Sequence, residues 1–210
     1  MKRLISGFIV FALAVSISVW LQSALPQAKE VISTVLGASI ALGSTWLFKS
    51  EDTEKSARYL AVRLICLFDE YMEDCVSVVN DDGLYFGERR QDGCRFPQVA
   101  PPQLVYPDDV DWRSINGDLM YEILSLPSDV KAGDSSVEFS WQIANAPDFE
   151  EFFEDRAFHY AQFGLRAYDL AQKLRKEYDI PEKNYADWNP VSILSKELKD
   201  IKTRKEQTNP

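Results

Sequence analysis

The sequence predicts a mainly α-helical protein in which an N-terminal hairpin of two transmembrane helices precedes a cytoplasmic helical domain, built on two long antiparallel helices with an irregular proline-containing insert. Three observations predict it. Residues 4–21 and 31–48 are two runs of 18 positions without a charged side chain. Residues 53–79 and 148–178 carry apolar side chains at mixed steps of three and four, the period of one helix face. Between them, Pro97, Pro101, Pro102 and Pro107 break any long helix.

Each uncharged run spans about 27 Å as a helix, close to the hydrocarbon thickness of a bilayer. Trp20 and Trp46 lie near the ends of the runs, where amphipathic rings favour the headgroup boundary. The residues between the runs, Gln22 to Glu30 with Pro26, allow only a tight reversal. Lys2 and Arg3 precede the first run, Lys49, Lys55, Arg58 and Arg63 follow the second, and the connection holds only Lys29. Because basic side chains resist translocation, both termini are expected in the cytoplasm of a two-pass protein of a bacterial inner membrane. A cleaved signal peptide is the competing reading of the first run. Against it, the run exceeds the usual length, and the candidate cleavage residues Ala24 and Ala28 have Gln22 and Pro26 at the minus-three position, where a small side chain is expected.

Within the second run Ser33, Gly37, Ala41 and Thr45 recur every four residues. A stripe of small side chains lets another helix backbone come close, so these four are the expected packing positions in the membrane. They serve either the hairpin's own two helices or a homo-oligomer. No ionisable residue interrupts either run, which argues against a proton relay or an ion-coupled transporter.

The remaining residues, 49–210, hold 20 basic and 32 acidic side chains, a net charge of −12. Such a domain is repelled by phosphate backbones, so nucleic acid is excluded as an expected partner. The basic residues Lys196, Lys199, Lys202, Arg204 and Lys205 are interleaved with Glu197, Asp200 and Glu206, as on a solvated helix face. Cys66, Cys75 and Cys94 have neither the CxxC spacing of a metal or redox site nor the even count of a disulfide framework. A reducing compartment follows.

In the domain, Ala57, Leu60, Leu64, Leu67, Phe68, Tyr71, Cys75 and Val78 form one stripe. No Gly or Pro separates it from the second uncharged run, so the helix is expected to continue out of the bilayer and to stop at Asn80–Gly83. Phe149, Phe152, Phe153, Ala157, Tyr160, Phe163, Ala167, Leu170, Ala171, Leu174 and Tyr178 form the stripe of the second long helix, which Pro181 ends. Two matched stripes are most simply buried against each other as a helical hairpin, bundle or coiled coil. A short helix over 112–126 is expected as a third wall, and a last helix begins with Asn189 as cap and Pro190 in the first turn, over 190–205 within the C-terminal segment 190–210. Within the insert, 81–147, the section 81–111 is the least regular and reads as a surface loop packed on the bundle, with at most a hairpin between 84–86 and 104–106. Residues 137–143 fit either a short strand or a helix face lined by Val137, Trp141 and Ala144.

Chemistry is sparse. His159 is the only histidine, which removes the usual zinc and di-iron templates. If the long helices pair so that contacting residue numbers sum to about 228, Asp69, Glu70 and Glu73 come level with Glu154, Asp155 and His159. Glu73, Asp155 and His159 are then the only candidates for an oxygen-rich cation site, and a local Asp155–His159 pair in water is the competing reading. No Walker A loop or dinucleotide glycine fingerprint occurs. No catalytic residue, cofactor or bound metal is expected. The leading expectation is a non-enzymatic protein that tethers an interaction domain for an unidentified protein partner to the lipid bilayer. An oligomeric membrane-active effector or assembly factor comes next, and a metal-dependent membrane enzyme last.

Overall fold

The computed structural model describes residues 29–186 and 188–208, with the side chains of 29–36, 39–51 and 208 excepted. The first expected membrane helix, 4–21, and the hairpin it would form lie outside the described residues. Four α-helices and one 3-10 turn make up the described chain: α1 (Lys29–Val79), the turn Trp112–Ser114, α2 (Gly117–Ile143), α3 (Glu150–Tyr178) and α4 (Pro190–Thr208). No strand occurs among the described residues. The chain divides into two compact units, Met1–Lys55 and Ser56–Pro210.

Of the first unit, the backbone is helical from Lys29 onward, and the same helix ends at Val79. Among the residues whose side chains are described, no helix is long and apolar enough to cross a membrane.

The second unit is a bundle. Its core joins α1 through Leu60, Leu64, Phe68 and Met72 to α3 through Tyr160, Ala167, Leu170 and Leu174, all nearly inaccessible to solvent. Met72 apart, these belong to the two stripes legible in the sequence. They pair antiparallel, because Asp69 meets Arg175 near one end and Asp81 meets Arg156 near the other. The register differs from the expected one. Contacting numbers sum to 244 and 237 at these two pairs rather than to about 228. The first turns of α3 run past the end of α1, because Phe152 and Phe153 are buried in a separate cluster with Val137, against Trp141 and Phe149. Gly83 seats the chain after α1 on the Phe153 ring: its φ is +75°, and a Cβ there would stand 2.2 Å from the ring. Only glycine meets both demands.

The largest departure is α2, a 27-residue helix where a short helix and an undecided segment were expected. Pro127 lies inside it and cannot donate to the carbonyl of Ile123. The Tyr106 hydroxyl, from the insert, donates to that carbonyl at 2.6 Å. A partner from outside the helix thus satisfies the group that proline frees, and the helix passes through. Asn116 caps α2 by accepting from the amides of Asp118 and Leu119. The ambiguity at 137–143 resolves to helix, with Trp141 stacked on Phe149 at 4.6 Å and edge-on to Phe152 at 4.8 Å. Phe149 precedes α3 in the left-handed region (φ 50°), a conformation costing roughly 1–2 kcal/mol that this stacking helps offset.

The expected hairpin between 84–86 and 104–106 does not form. The only bridge there is local, Tyr85 with Glu88. Residues 97–110 instead lie on the bundle, with Val99, Leu104, Tyr106 and Val110 packed against its core. In α4, the Asn189 side chain accepts from the Ser192 amide, as expected of a cap before Pro190. Leu194 and Ile201 are buried, and Leu194 meets α3 at Gly164.

Candidate functional site

The second unit holds two buried ion pairs. Asp81 follows α1, and its carboxylate receives the amides of Gly83, Gln98 and Val99 at 2.9–3.0 Å and Arg156 Nη1 at 2.9 Å. Arg156 also donates to the Val99 carbonyl. Burial alone would raise the Asp81 pKa, but the amides of Val99 and Gly83 and the Arg156 guanidinium outweigh it and hold the carboxyl below its usual range. This cluster fastens the start of the insert to α3. At the other end Arg175 donates to Asp69 at 2.6 Å and to the Pro181 carbonyl at 3.2 Å, and the Tyr185 hydroxyl adds a longer bond to Asp69. It fastens the α3–α4 connection to α1. Neither pair has a local signature in the sequence, since its partners stand 75 and 106 positions apart.

The candidate cation ligands do not come together. His159 Nε2 lies 3.7 Å from Asp155 Oδ1, the local pair that the spacing allows. The other Asp155 oxygen accepts from Ser140 at 2.8 Å and Ser136 at 3.2 Å, both on α2. The imidazole stacks on Phe163 and lies beside Gly133. Glu73 pairs instead with Lys183. The shifted register is the reason, since it moves Glu73 away from the level of His159. Among the described residues no group of three His, Cys, Asp or Glu side chains is arranged to hold a metal ion.

Ser33, Gly37, Ala41 and Thr45 all lie within α1. Of their side-chain surroundings only those of Gly37 are described: the position is exposed, and a Cβ there would meet nothing within 4 Å.

Two surface features remain in the second unit. A groove of about 830 Å³ runs between the end of α1, the start of α3 and α4. Its lining holds five acidic side chains, Asp81, Asp82, Glu150, Glu154 and Glu197, and three basic ones, Arg95, Arg204 and Lys205. Arg204 bonds Glu154 and Glu197, Asp81 pairs with Arg156, Lys205 lies over the Phe158 ring, and Arg95 covers Phe153. Beside it, Tyr85 and Glu88 exchange backbone hydrogen bonds across a two-residue turn, with Phe86 (φ 50°) and Gly87 (φ 82°) at its tip. Phe86 is 90% exposed, Tyr85 is also exposed, and Arg90 lies 4.9 Å above the half-exposed Phe96 ring. Exposed aromatic and arginine side chains in one place are the residue types that dominate protein–protein contacts.

Comparison with family models, with curated proteins and with solved structures finds no match to this chain.

Proposed function

We propose that the chain is a two-pass integral membrane protein that holds a helical interaction domain at the cytoplasmic face, with both termini on that side. What carries the reading is the pair of 18-residue uncharged runs with basic flanks, joined to the unbroken helical backbone of α1 from Lys29 to Val79. Leaving two such runs in water is unfavourable by about 25 cal/mol per Å² of apolar surface, and lipid removes that cost. The turn at Phe86 and the Arg90–Phe96 pair support the interaction half of the reading: Phe86 is 90% exposed, edge-on to the exposed Tyr85 ring at 4.7 Å, and aromatic and arginine side chains dominate protein–protein contacts.

Alkaline carbonate extraction of membranes containing the full chain tests the anchor. The chain is expected in the pellet, and its appearance in the supernatant would overturn the reading. For the interaction half, Phe86→Ser is expected to weaken capture of a crosslinked protein partner at least tenfold while leaving helix content unchanged.

A further inference from the structure

The outward face of α2 is a strip of uncharged, partly apolar side chains. At 100° per residue, Tyr121, Leu124, Ser128, Ala132, Ser135, Phe139 and Ile143 share the side opposite the buried residues Leu119, Ile123, Leu126, Val130 and Val137. All seven are exposed, with Tyr121 at 74%, Leu124 at 45%, Phe139 at 60% and Ile143 at 60%. No charged residue interrupts this strip over the 27 residues of the helix, in a chain of net charge −10. Uncharged strips with large apolar side chains are uncommon on the surface of a monomer.

The order of residues along the strip is self-complementary. Small side chains, Ser128, Ala132 and Ser135, occupy its middle and large ones its ends. Tyr121 lies eleven positions before Ala132 and Ile143 eleven after it, while Leu124 and Phe139 lie eight before and seven after. An interface between identical chains about a two-fold axis needs the same patch to fit itself when reversed. Of the six charged residues of α2, the one basic side chain finds acidic neighbours across such an axis. Lys131 is the only basic residue of α2 and is exposed. A two-fold axis at Ala132 brings it level with Gly133 of a second copy, next to Asp134 and within one turn and a half of Glu138. We propose that this face pairs with the same face of a second copy of the chain, antiparallel, with the two-fold axis at Ala132.

The contact is small. A helix of this length is about 40 Å long, and a strip about 10 Å wide buries roughly 800 Å² over both copies, below the roughly 1,200–2,000 Å² of stable complexes. The dimer is therefore weak and dependent on concentration. It requires no membrane anchor, so it stands or falls separately from the reading above.

Oxidative crosslinking of the full chain, in a background of Cys66→Ser and Cys94→Ser, tests it. Ala132→Cys is expected to form covalent dimer at least tenfold faster than Lys176→Cys, which sits at an exposed position of α3 away from the strip. Tyr121→Cys mixed with Ile143→Cys is expected to crosslink, and Tyr121→Cys alone is not. Light scattering on the unmutated chain reads the same equilibrium without a substitution, with a mass that rises with concentration, and Lys131→Glu shifts the midpoint upward at least fivefold. Equal rates for Ala132→Cys and Lys176→Cys would overturn the pairing, as would a mass unaffected by Lys131→Glu. Crosslinking of Tyr121→Cys alone would overturn the antiparallel arrangement.

Discussion

Tyr106 and Pro127 make a pair whose energetics can be separated. With Pro127 in place, the Ile123 carbonyl has the Tyr106 hydroxyl in place of a helix amide. Tyr106→Phe is expected to lower stability by about 1–2 kcal/mol, the penalty of a carbonyl left without a partner. In a Pro127→Ala background the amide returns, and the same substitution should cost less than half as much, as urea unfolding of the four variants would read. Asp81 is the second case. Asp81→Asn leaves the Arg156 guanidinium without its carboxylate and is expected to cost about 3–5 kcal/mol. The sign of its pH dependence follows from a folded pKa below the ordinary carboxylate value of about 3.9. The contribution is complete above that value and is lost as pH falls through the lower folded one, so stability should decline more steeply below pH 4 in the native chain than in Asp81→Asn. Tyr71 makes the opposite prediction. Its buried hydroxyl has only the Cys75 thiol, a weak partner, beside it, so Tyr71→Phe should be neutral or raise stability by up to about 1 kcal/mol.

At the scale of elements, α1 and α3 were legible because each carries a one-sided apolar stripe, and α4 because of its opening residues. Asn189 and Pro190 open α4, and Asn80–Gly83 close α1. By contrast, α2 was hidden for two physical reasons. Pro127 marks a break in any reading of a single sequence, and the Tyr106 hydroxyl that compensates for it lies 17 positions away in Ile123's surroundings. Its outward face also holds Tyr121, Leu124, Phe139 and Ile143, so the apolar residues do not confine themselves to one side. The register of α1 on α3 escaped the stripe pattern because it is fixed by Asp81–Arg156, Asp69–Arg175 and the Phe152–Phe153 cluster, none of which has a local signature. The candidate cation cluster depended on that register and dissolved with it. Packing at the crossing of α1, α3 and α4 gives a further test. A methyl group on Gly164 would stand 2.6 Å from Leu194 Cδ1 and 3.0 Å from Cys75 Cβ. Alanine is ordinarily the better helix former by about 1 kcal/mol, but here Gly164→Ala should destabilise by about 1–3 kcal/mol in thermal unfolding, because the Cys75 atom belongs to a packed helix and cannot swing away.

For the molecule as a whole, the central claim is that residues 4–21 and 31–48 lie in lipid and that Ser56–Pro210 folds on the cytoplasmic side. Cys66 gives a native reporter of that side, being an exposed free thiol in α1 of the second unit, whereas Cys75 is buried. Burial pushes the Cys75 thiol well above its ordinary pKa, which suppresses the reactive thiolate and leaves the other two cysteines as the ones that label. A membrane-impermeant maleimide applied to washed vesicles of both orientations, with Cys94→Ser to isolate the signal, tests the claim most directly. The account predicts modification of Cys66 in inside-out vesicles alone. Modification in right-side-out vesicles, or a chain missing from washed vesicles of either kind, would contradict it.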